Sequence, residues 1–278
     1  MEEVNPMKTC RNARCAIPVL VPALGVFCAS PGEAALLYST AGVAVTEDFN
    51  GPAGSAATTA WVDDSTIPNF FAYEEDLSGP PADIRATSGS STGIRLYRWR
   101  QNGDATDYAF GTRPLDASGD MIMGWQIVNN TDETLESFSL GYTGEQWSST
   151  TSNQNNQLVV AYQLDPVGDP IDDLADGTWT NIDDLTFNSP IDNVADSSVN
   201  GNDPANREVL DPVTISELDW APGQTLWIRW FDNNSNGTDQ GLAIDDLSFT
   251  AFPIPEPSSA ILLSAGLGLL VARRRSRA

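Results

Sequence analysis

Apolar and polar residues alternate through the middle of the chain. In Thr225-Leu226-Trp227-Ile228-Arg229-Trp230-Phe231 one face carries Leu226, Ile228 and Trp230, and the other Thr225, Trp227, Arg229 and Phe231. That period of two is the signature of a β-strand. The same alternation, or a short apolar run, predicts strands at 36–45, 69–73, 94–100, 108–111, 121–128, 136–142, 158–164, 179–182, 213–218, 225–231 and 242–251. Residues 55–59 are small and polar and predict a loop. Clusters such as Asn129-Asn130-Thr131-Asp132, 148–156, 200–206 and 233–237 separate the strands. No window of a dozen residues carries a helical stripe, so the prediction is an all-β, antiparallel, jelly-roll-like β-sandwich over 35–251. The Asp, Pro and Asn-rich stretch 165–202 predicts long connections, with Leu185 and Phe187 turned into the core.

The two ends have a different pattern. Lys8, Arg11 and Arg14 precede an apolar run over 16–29, and Gly32-Glu33-Ala34 offers small residues for cleavage, so 1–34 reads as a signal peptide removed by signal peptidase. Translation starts at Met1 or, given Glu2 and Glu3, at Met7. At the other end stand the rigid Pro255-Glu256-Pro257, an uncharged stretch over 258–272, and the cluster Arg273, Arg274, Arg275 and Arg277. As a helix that stretch rises ~22 Å against a hydrocarbon core of ~30 Å. Snorkelling arginines and local thinning let it serve as a transient inner-membrane anchor with its end in the cytoplasm.

Composition narrows the chemistry. Of 38 acidic residues 34 lie in the middle, against seven of the 14 basic ones, a net charge of about −27 there. Such a surface repels nucleic acid and anionic membranes. The chain has no histidine, and its three cysteines, Cys10, Cys15 and Cys28, all precede the middle. The domain therefore has no thiol nucleophile, no imidazole base and no Cys/His metal site. Carboxylate chemistry remains open, and Glu145 and the pair Glu74-Glu75 are the acids to weigh for glycoside hydrolysis, which in its retaining form needs two carboxyls about 5–5.5 Å apart. Chance pairs are expected among so many acids, and the expectation is a protein that is not an enzyme. Asp232-Asn233-Asn234-Ser235-Asn236-Gly237 resembles the start of a calcium loop, but its twelfth position is Ala243 and a turn fits better. Sequons at Asn129, Asn233 and Asn236 mark expected surface loops.

The C-terminal arrangement resembles the PEP-CTERM sorting signal of Gram-negative bacteria, 253–278, whose three parts are read by an exosortase. The resemblance implies export, processing beside Pro255-Glu256-Pro257, release to the cell surface or exterior, and association with exopolysaccharide. Three blocks in the middle, Phe138 to Trp147, Ala221 to Trp230 and Gly241 to Phe249, resemble a β-sandwich domain of secreted bacterial proteins. By likeness to jelly-roll carbohydrate-binding modules, where acids on the first and last strands hold a structural calcium, Glu47, Asp48, Asp245 and Asp246 are the candidate Ca2+ ligands. Exposed indoles form sugar platforms, and Trp147, then Trp99, are the candidates for exposure among eight tryptophans; at least five should serve the core. The expectation is a non-catalytic adhesive or structural surface protein, with a calcium-holding carbohydrate-binding module as the alternative and a glycoside hydrolase as the third reading.

Overall fold

The computed structural model describes residues 35–50, 58–89, 95–104, 106–151, 156–165, 174–192, 197–235 and 239–253. The expected signal peptide over 1–34, the Pro255-Glu256-Pro257 motif, the apolar stretch and the arginine cluster lie outside the described residues. No helix among the described residues is long and apolar enough to cross a membrane.

Two sheets face each other. Strands are β1 Leu36–Tyr38, β2 Val45–Glu47, β3 Thr58–Ala60, β4 Phe70–Glu74, β5 Asp83–Thr87, β6 Leu96–Trp99, β7 Ala109–Thr112, β8 Met121–Asn129, β9 Leu135–Ser149, β10 Gln157–Leu164, β11 Thr180–Asn181, β12 Phe187–Asn188, β13 Ser197–Ser198, β14 Arg207–Ile215, β15 Thr225–Asp232 and β16 Gly241–Pro253. The seven-stranded sheet runs β1-β8-β15-β10-β11, with β4 also on β8 and β12 on β10. The nine-stranded sheet runs β13-β9-β16-β7-β6-β5-β3, with β14 on β9 and β2 on β16. Pairing is antiparallel except for β1 with β8 and β5 with β6.

The core lies where the inner faces meet. Leu226, Ile228 and Trp230 of β15 and Leu242, Ile244, Leu247 and Phe249 of β16 are all buried in it, which is the alternation predicted for β15. Within the seven-stranded sheet Trp125 stacks on Phe70 at 5.6 Å, and rings join the two layers where Phe249 meets Trp125 edge-on at 5.6 Å and Tyr142 meets Trp230 edge-on at 5.9 Å. Leu185 and Phe187 are buried, as the sequence predicts. At one rim Asp232, at the end of the apolar row of β15, accepts a hydrogen bond from the Thr112 hydroxyl of the other sheet at 2.5 Å. Burial raises its pKa well above the ordinary value, with the Thr112 hydrogen bond opposing.

Several elements depart from the pattern: the single strand expected over 36–45 is divided into β1 and β2, and β5, Asp83–Thr87, is not among the expected strands. Thr58–Ala60 is a strand on β5 rather than loop. Strand β9 continues through the polar Thr143–Ser149, because loops cover its outer face and both faces are buried. Strand β14 begins at Arg207, its charges and Pro212 hiding it from period-two reading. Among the described residues it pairs with β9 alone, and Pro212 sits where the register shifts between Leu210 and Val213, a position that spares a proline.

Close sheet contact depends on small residues. A Cβ on Gly111 would come within 2.2 Å of the Leu242 carbonyl oxygen and 2.6 Å of the Ala243 Cβ. Gly111→Ala must therefore push β7 away from β16, and an overpacking cost of ~1–3 kcal/mol is expected. Thermal unfolding checks it: the midpoint should fall by roughly 2–4 °C per kcal/mol for a domain of this size.

Candidate functional site

The ladder of β9 and β16 sends alternate side chains to opposite faces. Ala243 stands opposite Glu145 and Asp245 opposite Thr143, so Glu145 and Asp245 are diagonal neighbours on the outer face of the nine-stranded sheet. Asp245 accepts from the Asp246 N–H at 2.8 Å. Asp246 itself is left-handed (φ 48°), at the irregularity that returns Leu247 to the core. Beside this acid pair lies an aromatic stripe. Tyr97 stacks on Trp99 at 4.0 Å, and Trp99 runs parallel to Trp147 at 6.5 Å, with Ala109 and Ala243 completing the cluster. Trp147 is the extra residue where the register slips between Gly241 and Leu242, and its indole N–H donates to Glu145 at 2.9 Å.

Electrostatics follow from burial. Glu145 is 1% exposed and Asp245 4%. Burial pushes Glu145 up to about 7, with Asp107 and Asp246 adding to it and the Trp147 N–H and Arg207 opposing. Asp245 is pushed up to about 9 by burial first and by Glu145 next. Asp107 is held in the same region by Asn202, which donates to it at 2.6 Å. Two carboxyls that share a dry face cannot both ionise cheaply, so one proton or more is retained there at neutral pH.

Against this region opens a cavity of about 460 Å3, lined by Ser88, Gln101, Asn102, Ser198 and Asn200 with Trp147 and Val199. The Asn200 side chain donates to Asp203 at 2.9 Å, while its oxygen is buried with no partner. The walls thus combine neutral amides and hydroxyls, a composition suited to hydroxyl-bearing ligands. None of these amides is marked by periodicity; the turn clusters 148–156 and 200–206 are the nearest signal.

The structure divides the predicted calcium set. Glu47 pairs with Leu247, whose side chain is in the core, whereas Asp245 projects from the opposite face. The Glu47 carboxylate accepts from Phe49 N–H at 2.8 Å and that of Asp48 from Asn50 N–H at 3.0 Å, so both are engaged in their own turn. Glu47 feels Asp48 and Arg98, while Asp245 feels Glu145, Asp246 and Asp107. The second strand, β2, pairs with the last, β16, while the first, β1, pairs with β8; the four acids do not surround one point, and among the described residues no three acids do. A calcium ion does not fit them as placed.

The tryptophan expectation needs correction as well. Trp99 is 0% and Trp147 1% exposed, because Gly201 packs on the Trp147 indole and Gly89 on its carbonyl. Neither is an exposed platform; the cavity reaches only the border of Trp147. Asn129 is likewise buried, its amide donating to the Glu133 and Trp220 carbonyls at 2.9 and 2.8 Å, so this sequon is not on an open loop. Glu74 is paired with Arg95 at 3.5 Å on the other sheet from Glu145, and Glu75 accepts from Asp120 N–H at 2.9 Å. The turn after Asp232 is held by Asp120 and Asp239, which accept from Asn234 and Ser235 N–H at 2.8 and 2.9 Å.

Residues 253–277 match the family model described as the PEP-CTERM protein-sorting motif. The chain carries a PEP-CTERM sorting motif. It begins where β16 ends, and it marks the protein as exported, directed to the cell surface and processed by an exosortase. No curated protein matches the chain. Among solved structures it is similar to the enzymatically active domain of tailspike protein 4 of bacteriophage CBA120 (TM-score 0.35, 14% identity, 67% of this chain and 20% of that one). It is also similar to the K1 cleaved adhesin domain of Lys-gingipain from Porphyromonas gingivalis W83 (0.35, 12%, 76% and 99%). A third is TmCBM61, solved in complex with beta-1,4-galactotriose (0.27, 9%, 70% and 86%). The chain spans a fifth of the tailspike domain's length, and at these scores the likenesses carry no argument about activity.

The acid pair gives the domain a pH dependence with a fixed sign. Below about pH 4 the folded and unfolded chains both hold these protons. From there to about 7 for Glu145 and about 9 for Asp245, the unfolded chain releases protons that the folded one keeps, so stability falls as pH rises. Unfolding midpoints measured from about pH 5 to about pH 9 should decline. Glu145→Gln and Asp245→Asn should flatten the decline and raise the midpoint on the alkaline side.

Proposed function

We propose that the protein is a non-catalytic, adhesive component of the cell surface or extracellular matrix that associates with exopolysaccharide. The observation that carries this reading is the cavity of about 460 Å3 walled by Ser88, Gln101, Asn102, Ser198 and Asn200. Neutral amides and hydroxyls can donate and accept in turn to the hydroxyls of a sugar chain, and the indole edge of Trp147 offers an apolar border. The sorting motif supports it by bringing the domain to the surface where such chains are found. A hydrolase is disfavoured by the burial of Glu145 and Asp245: a catalytic acid and its partner must reach the glycosidic oxygen and the sugar ring, and these two are sealed beneath loops. The acidic surface, about −27 over the middle, adds solubility and favours uncharged chains over polyanions.

Two measurements test the reading. The processed protein should co-sediment with exopolysaccharide from its own cells, and Gln101→Ala with Asn102→Ala, both on exposed positions, should weaken this at least ~10-fold without moving the unfolding midpoint. Unchanged binding would remove the cavity from the proposal. Deleting Pro255 to Pro257 should leave the protein in the membrane fraction; normal release of that variant would contradict sorting through the motif.

A further inference from the structure

The seven-stranded sheet has an outer face of its own. Tyr73, Ile122 and Phe231 lie in one cross-strand row, and Phe71, Gly124 and Arg229 in the next. Gly124 leaves a gap that Leu174 fills; a Cβ there would fall 2.3 Å from Leu174 Cδ2. The segment after Leu174 crosses this face and brings Trp179 over it. Seven of the eight tryptophans are buried, and Trp179 is the one that keeps a solvent-facing surface.

An indole at a surface would ordinarily sample several rotamers. This one is held. Its N–H donates to the Asp176 carbonyl at 2.5 Å, and the Arg229 guanidinium lies 4.2 Å from its ring centroid. Arg229 is itself fixed, donating to the Leu174 carbonyl at 2.7 Å and lying 5.7 Å from the Phe231 ring. Burial pushes Arg229 down to about 10, so it remains a cation at neutral pH. No carboxylate among the described residues lies at ion-pair distance from it. Its work is therefore to orient the ring. Tyr73 and Phe231, both half-buried, extend the surface along the sheet.

A rigid, half-buried indole that keeps a solvent-facing surface has its ordering entropy settled before any ligand arrives, which favours stacking on a flat partner. The guanidinium lies against the ring with its Nε buried and unpartnered, and the domain as a whole repels polyanions. We propose that Trp179, flanked by Phe231 and Tyr73, is a second saccharide-binding face, for uncharged polysaccharide chains. Because it lies on the sheet opposite the cavity, one molecule can bridge two chains. Arg229 is a positioning residue here.

The test uses the processed protein with a soluble neutral β-glucan and, as the anionic arm, alginate. Trp179→Ala should weaken β-glucan binding at least ~10-fold, Trp179→Phe should retain most of it, and Arg229→Lys should fall between. Acrylamide quenching of the exposed tryptophan should be relieved by β-glucan in the wild type and be insensitive to it in Trp179→Phe, a readout that needs only the folded variant. Unweakened binding by folded Trp179→Ala, quenching that β-glucan leaves unchanged, or preference for alginate would each overturn the proposal. The cavity variant Gln101→Ala with Asn102→Ala separates the two readings. Loss through Trp179 alone supports this face and counts against the cavity, and loss through the cavity alone does the reverse. Bridging is read as turbidity of protein with β-glucan, expected for the wild type and absent when either site is changed.

Discussion

The pairing of β9 with β16 is the constraint on which the rest of the structure depends. These are the two longest strands, and β16 also carries β2 and β7, while β9 carries β13 and β14. A strand in that position has its backbone groups satisfied on both edges and its side chains covered on both faces. The inner face follows the ordinary rule, with Phe138, Leu140, Tyr142, Leu242, Ile244 and Phe249 in the core. The outer face does not, because its positions include Glu145 and Asp245. The ladder that organises the sandwich therefore also creates its least comfortable groups, two carboxyls kept wholly or partly neutral by the absence of water.

The first strand is tied to the last by a single side chain. The Tyr38 hydroxyl accepts from Ala251 N–H at 2.9 Å and meets the Val43 carbonyl at 2.9 Å, while its ring packs edge-on to Phe249 at 5.6 Å. A buried tyrosine with its hydroxyl satisfied adds both area and direction to the contact. The consequence is positional: the start of the domain and the residue where the sorting motif begins belong to one corner of the sandwich.

Where periodicity was strong the fold was legible. The row Leu226, Ile228, Trp230 alternates cleanly, and its burial follows; Leu185 and Phe187, isolated apolar residues in a polar stretch, had nowhere to go but inward. Strand β14 was hidden because an edge strand is written in charges and proline, the residues that discourage pairing with another chain. The polar half of β9 was hidden because its covering loops are remote in sequence. The acid pair was half legible: the Asp245-Asp246 dipeptide stood out, but its partner proved to be Glu145 across the ladder rather than Glu47, since a one-residue irregularity at Asp246 decides which face each acid takes. Exposure of a tryptophan depends on the loop above it, so Trp147 and Trp99, beside polar loops in sequence, ended beneath them.

The surface that remains bears on the adhesive role proposed above. An excess of about 27 negative charges keeps copies apart at long range, and β14, which among the described residues pairs on one side only, presents Arg207, Glu208, Asp211 and Pro212, residues that disfavour sheet-to-sheet addition. Nonspecific association is thus suppressed in both of the ways open to a β-sandwich. What escapes suppression is local and built: a cavity of neutral hydrogen-bonding groups on one sheet and a clamped indole on the other. Neither draws its ligand by charge, and the field that repels other copies and polyanions leaves an uncharged chain free to approach both.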